Sequence, residues 1–81
     1  MENISLDDFL SEGIIKEKDF RKKVSSIDWS KYKNQKVIIK GCSQVKVPTW
    51  AFLIITARLT KYAKDIYFGE PCSAINIFKN N

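Results

Sequence analysis

The sequence predicts a small α/β protein: two short N-terminal helices, then a β-α-β-β unit forming a small mixed sheet with one long helix packed on it. Three observations predict this. Two short runs rich in β-branched and aromatic residues, Lys36-Val37-Ile38-Ile39-Lys40 and Asp65-Ile66-Tyr67-Phe68, each stop at a glycine, Gly41 and Gly69, as buried parallel strands do. Between them, residues 49–64 contain neither glycine nor proline and are long enough for a crossover helix. After Gly69 only a short turn precedes residues 74–78, where Ile75 and Ile77 alternate with Asn76 and Phe78. That last strand has no room for another crossover and should return antiparallel, as a hairpin edge.

The elements follow in order. Ser5 before Leu6-Asp7-Asp8 reads as an N-cap with acids in the first turn, and Gly13 as the stop of a short first helix. Ile14 and Ile15 lead into residues 16–25, where Phe20, Val24 and Ile27 recur at helical spacing among charged neighbours, giving a second, amphipathic helix. Asp28-Trp29-Ser30-Lys31-Tyr32 reads as one helical turn anchored by Trp29, and Asn34 as a reversal. Residues 42–47 are a loop, and Pro48 suits the first position of the long helix, where its missing N–H costs nothing. The whole chain, residues 1–81, is one domain, with a helical N-terminal segment over 1–34 and the β-α-β-β unit over 35–79.

With 81 residues there is enough chain for one modest core and no more. Its apolar content of 44% is too high for a disordered segment. The longest apolar run, residues 50–55, is far shorter than a membrane span needs. No basic-then-apolar leader is visible at the N-terminus, and two cysteines without one read as reduced thiols, so the expected location is the cytoplasm. The net charge of +5 is unevenly spread: residues 1–20 sum to −4, residues 21–64 to +10. A basic body invites nucleic acid, and Lys22, Lys23, Lys31, Lys33 and Lys36 would carry weak, sequence-independent contacts. Twelve of the fourteen bases are lysine, however, whereas base reading and bidentate phosphate binding favour arginine. Nucleic-acid binding is therefore the least favoured reading. The plainer one is a lysine-rich surface with the acidic N-terminal segment lying against it.

The chain has no histidine, which removes the Ser–His–Asp triad, the Cys–His pair and the ordinary imidazole metal ligand. It has neither of the common phosphate-cradling glycine motifs, and no closely spaced carboxylate pair is expected at a strand end. Enzymatic function is thus disfavoured. What remains is a pair of cysteine turns, Lys40-Gly41-Cys42-Ser43 and Gly69-Glu70-Pro71-Cys72-Ser73, each just beyond the carboxyl end of a predicted parallel strand. Crevices at that edge of an open α/β sheet commonly bind ligands. Cys42, Ser43, Thr49, Glu70, Cys72 and Ser73 form the candidate crevice. Two readings stay open for Cys42 and Cys72: small half-buried hydrophobes, or ligands to zinc or an iron–sulfur cluster, with two chains supplying four sulfurs across a two-fold axis. Ser43 and Thr49 read either as helix caps or as anion ligands at the helix start.

On a helical wheel Thr49, Thr56, Thr60 and Lys64 share a narrow polar arc, and apolar residues cover most of the remainder. A helix on a three-stranded sheet needs one apolar stripe, and this one has enough for two contacts. Trp50, Ile54, Arg58 and Tyr62 are the expected homodimer interface, with Arg58 either snorkelling to the rim or paired to an acid such as Glu70.

The stretches "KEKDFRKKV", "DWSKYKNQKVIIKGCS", "VPTWAFLIITARLTKYAK" and "FGEPCSAINIFK" resemble the bacterial domain-of-unknown-function family 2480, from about Gly13 to Lys79. Members of that family are longer, with two related halves. The resemblance implies a single-unit version that assembles from two copies, and it carries a loose association with iron–sulfur cluster assembly. The reading that results is a non-enzymatic homo-oligomeric binding or assembly module, the alternative being a thiol-dependent metal or redox accessory protein using Cys42 and Cys72.

Overall fold

The computed structural model describes residues 1–10, 13–41, 46–70 and 72–80. The protein is α/β, with a four-stranded mixed sheet and two α-helices. The strands are β1 (Glu2–Ser5), β2 (Lys36–Lys40), β3 (Asp65–Phe68) and β4 (Ile75–Lys79); the helices are α1 (Glu17–Ser26) and α2 (Thr49–Leu59). Spatial order equals chain order: β1, β2 and β3 run parallel, and β4 pairs antiparallel with β3.

The N-terminal end differs from the expected pair of helices. Residues 2–5 form a strand parallel to β2, and the first predicted helix shrinks to a single 3-10 turn, Leu6–Phe9. Ser5 caps that turn as expected, its Oγ accepting from the Asp7 N–H at 3.3 Å, but the backbone becomes extended again at Leu10. The chain is therefore two consecutive β-α-β crossovers followed by a hairpin. The crossovers step in one direction, and crossovers of one hand then put α1 and α2 on the same sheet face. The core sits there: Phe20 and Val24 from α1, Ala51, Ile55 and Leu59 from α2, and Ile4, Val37, Ile39 and Ile66 from the strands. The opposite face carries Asn3, Ser5, Lys36, Ile38, Lys40 and Tyr67 by register.

Local chemistry explains the element ends. Trp29–Tyr32 forms the expected helical turn, capped by Asp28, and Trp29 Nε1–H donates to the Val24 carbonyl at 3.0 Å, tying the turn to the end of α1. Asn34 adopts φ +60 at the reversal, a conformation asparagine tolerates. Pro48 is the N-cap of α2 rather than its first residue. That helix ends five residues before the expected end. The Tyr62 and Ala63 N–H groups both donate to the Leu59 carbonyl, and Lys64 N–H then reaches the Gln35 carbonyl. The chain leaves the helix there because Asp65 must start β3 opposite Lys36. Without glycine or proline at the bend, the sequence hides this stop. Between β3 and β4 a bulge shifts the register at Ile66/Tyr67, and Asn76 Nδ2 donates to the carbonyls of Ile66 and Phe78 beside it.

Asp65 is the one buried charged residue described, and its Oδ1 has no hydrogen-bond partner among the described residues. Its register neighbours are Lys36 on β2 and Lys79 on β4. No helix among the described residues is long and apolar enough to cross a membrane.

Candidate functional site

Three parallel strands end side by side, and the segments leaving them enclose a crevice of about 520 Å³. β1 contributes Asn3 and Ser5, with Asp7 and Asp8 in the turn that follows; β2 contributes Lys40 and Gly41; β3 leads through Gly69 to Glu70. Ser5 and Lys40 are register partners, so the wall is continuous across β1 and β2. Gly69 extends the other pairing, its N–H donating to the Ile39 carbonyl at 3.2 Å, with φ +119 turning the chain outward. The Ser73 N–H then donates to the Glu70 carbonyl at 2.9 Å and closes the turn.

Three exposed carboxylates against one lysine make the rim net negative, on a chain that is basic overall. Such a rim favours a ligand carrying a cationic or hydrogen-bond-donating group, with Lys40 able to donate in return. Asp7 and Asp8 stand two and three residues past the end of β1, so a close carboxylate pair does stand at a strand end, contrary to expectation. The expectation failed because it rested on missing β1. The signal was there: Ile4 and Leu6 alternate with Asn3 and Ser5, a period of two that was read as the approach to a helix. Among the described residues no group of three or more His, Cys, Asp or Glu is arranged to hold a metal ion, so the three acids line the crevice without converging.

Of the six residues expected to form the crevice, Cys42 and Ser43 lie outside the described residues, and with them the proposed four-sulfur metal site. Glu70 lines the crevice. Thr49, Cys72 and Ser73 are exposed and stand outside the described lining; Cys72 is a free thiol in the turn after Glu70. Thr49 opens α2, and its N-cap residue, Pro48, makes no side-chain capping bond.

The expected dimer residues divide. Trp50, Ile54 and Tyr62 are half-buried and pack against the molecule's own core, Trp50 meeting Phe20 edge-on with ring centroids 5.5 Å apart. Phe52 stands edge-on to Phe68 at 4.9 Å. The surplus of apolar residues on α2 is thus largely taken up by α1 on one flank and β3 on the other, leaving Leu53 exposed. Arg58 is exposed and pairs with neither Glu70 nor any other described acid. It lies in the last turn of α2, where the helix carbonyls favour a cation without burying it.

A family model described as "Protein of unknown function (DUF2480)" matches residues 1–37 and 30–80. The chain belongs to this family. The DUF2480 match begins at residue 1 and so takes in β1, which the resemblance read from about Gly13 onward did not, and its two stretches share residues 30–37 around Asn34. No curated protein and no solved structure matches the chain.

Proposed function

We propose that this chain is a non-enzymatic, homodimeric binding and assembly module that works in the cytoplasm. The observation that carries the reading is a group of exposed apolar side chains at the β3–β4 hairpin: Phe68, Ile75 and Ile77 are 37%, 64% and 46% exposed. On a chain this small and otherwise rich in surface charge, neighbouring apolar side chains left in water are what a protein–protein contact uses. The acidic crevice at the carboxyl ends of β1–β3 lies at the other end of the sheet from Lys36 and Lys79 and supplies the binding half of the reading. A free, exposed Cys72 supports a reducing compartment. The test is molar mass by light scattering at micromolar concentration under reducing conditions: twice the chain mass of 9.4 kDa is expected, and a monomer refutes the reading.

A further inference from the structure

We infer that a second cavity, beside β1, binds a small monocarboxylate with an apolar body. The cavity holds about 280 Å³ between β1, the turn after it, the end of α1 and the Trp29 turn, and it shares only Asn3 and Asp8 with the acid-lined crevice. That volume is at the small end of ligand pockets, which run from about 300 to 1,000 Å³. The inference holds for a monomer and a dimer alike.

It starts from a hydroxyl with nothing to bond. Tyr32 is 8% exposed, and its hydroxyl makes no hydrogen bond to a described residue. Among the described residues Asp65 Oδ1 is the one side-chain atom both sealed from solvent and unpaired, so the Tyr32 hydroxyl reaches open space. The open space that Tyr32 lines is this cavity. A hydroxyl so deeply set gains from a ligand that bonds to it.

Two ammonium groups make that ligand an anion. Lys23 Nζ donates to the Leu10 carbonyl at 3.0 Å, which fixes the group and leaves it further N–H donors. Lys31 Nζ lies 5.2 Å from the centroid of the Tyr32 ring, so it stands over the residue that offers the free hydroxyl. Both lysines line the cavity against Asp8 alone, and the single positive charge left over suits one carboxylate better than a phosphate dianion. The carbonyls at the end of α1 do not oppose an anion there. That of Val24 accepts from Trp29 Nε1–H and from the Ile27 N–H, and that of Lys23 accepts from the Ser26 hydroxyl at 2.7 Å. Ile4, Phe9 and Ile27 add an apolar wall that a bare ion would leave unused.

The experiment titrates isotope-labelled protein with phenylacetate and follows the backbone amide shifts by NMR. Saturable shifts at Ile4, Phe9, Ile27 and Tyr32 are expected, with a Kd of about 1 mM or tighter. Phenylacetamide, which keeps the shape without the charge, and inorganic phosphate, which keeps charge without the body, should each bind at least about tenfold more weakly. Tyr32→Phe should weaken phenylacetate binding about tenfold and leave Tm unchanged, because the hydroxyl has no internal bond to lose. Lys31→Met should weaken it by about the same factor, and Lys46→Met, outside the cavity, should bind as wild type does. The site is overturned by shifts that do not saturate, by shifts centred on Lys40 and Glu70, by equal binding of phenylacetamide, or by a Tyr32→Phe variant that binds as tightly as wild type.

Discussion

Replacing Phe20 by leucine should cost this protein a large part of its stability, because the Phe20 ring joins three elements at the centre of the core. Its side chain is fully buried. Its ring lies 5.2 Å from that of Phe9, in the turn after β1, and 5.5 Å from that of Trp50 at the start of α2, tilted by 54° and 75° respectively. Leucine keeps the residue apolar but removes both ring contacts, each worth about 0.5–1.5 kcal/mol beyond area burial. The sum is about 1–3 kcal/mol, and alanine, which also opens a cavity, should cost about 3–5 kcal/mol. A domain of this length holds roughly 4–12 kcal/mol in all. The assay is thermal unfolding followed by far-UV circular dichroism at one fixed protein concentration, since a dimer's midpoint depends on concentration. Phe20→Leu should lower Tm by about 5–15 °C. The control is Arg21→Ala on the exposed side of α1, which loses only the Arg21–Glu17 pair (2.9 Å) and should change stability by about 0.5 kcal/mol at most. A Phe20→Leu variant that melts together with Arg21→Ala would refute the claim that this aromatic junction holds the N-terminal crossover to α2.

Other outcomes follow from single contacts. Trp29→Phe keeps most of the buried ring and removes the indole donor, while the Val24 carbonyl still accepts from the Ile27 N–H at 3.3 Å, so it should destabilise by about 0.5–1.5 kcal/mol in urea titration. Gly69→Ala forces a side chain onto φ +119 and should cost about 1–3 kcal/mol, whereas a Cβ at Gly41 would meet only the Phe52 ring at 3.7 Å and be tolerated. The Ser30 hydroxyl and then the Ser30 N–H donate to Asp28, holding its carboxyl below the ordinary carboxylate range in the folded state. A folded value below the unfolded one means that the contribution is complete above the unfolded value and lost as pH falls through the folded one. Stability measured against pH should therefore drop less steeply on the acid side for Asp28→Asn than for wild type. Cys72, exposed and unpaired, should react with a thiol reagent in the native protein without a denaturant.

Local pattern alone was enough for much of this molecule. β2 and β3 begin and end where their β-branched runs and glycines place them, α1 lies one residue from its expected bounds, and the Trp29 turn and Asn34 reversal stand where predicted. Those elements are legible because their signals, period 3.6, period 2, caps and breakers, lie within a few neighbouring residues. Tertiary structure decided the rest. Glu2–Ser5 is a strand only because the outer edge of β2, more than thirty residues later, offers it hydrogen bonds and a core for Ile4. The end of α2 at Leu59 was set by where β3 must start opposite Lys36, and the destination of Trp50 and Phe52 by α1 and β3 on either flank. The crevice shows both sides of this. Glu70 could be named from its glycine turn, but Asp7 and Asp8 join it only once β1 has taken its place beside β2. Short-range preferences choose the conformation of a segment, whereas its neighbours are chosen by backbone pairing and apolar burial between residues far apart in the chain, and a single sequence carries no local record of those.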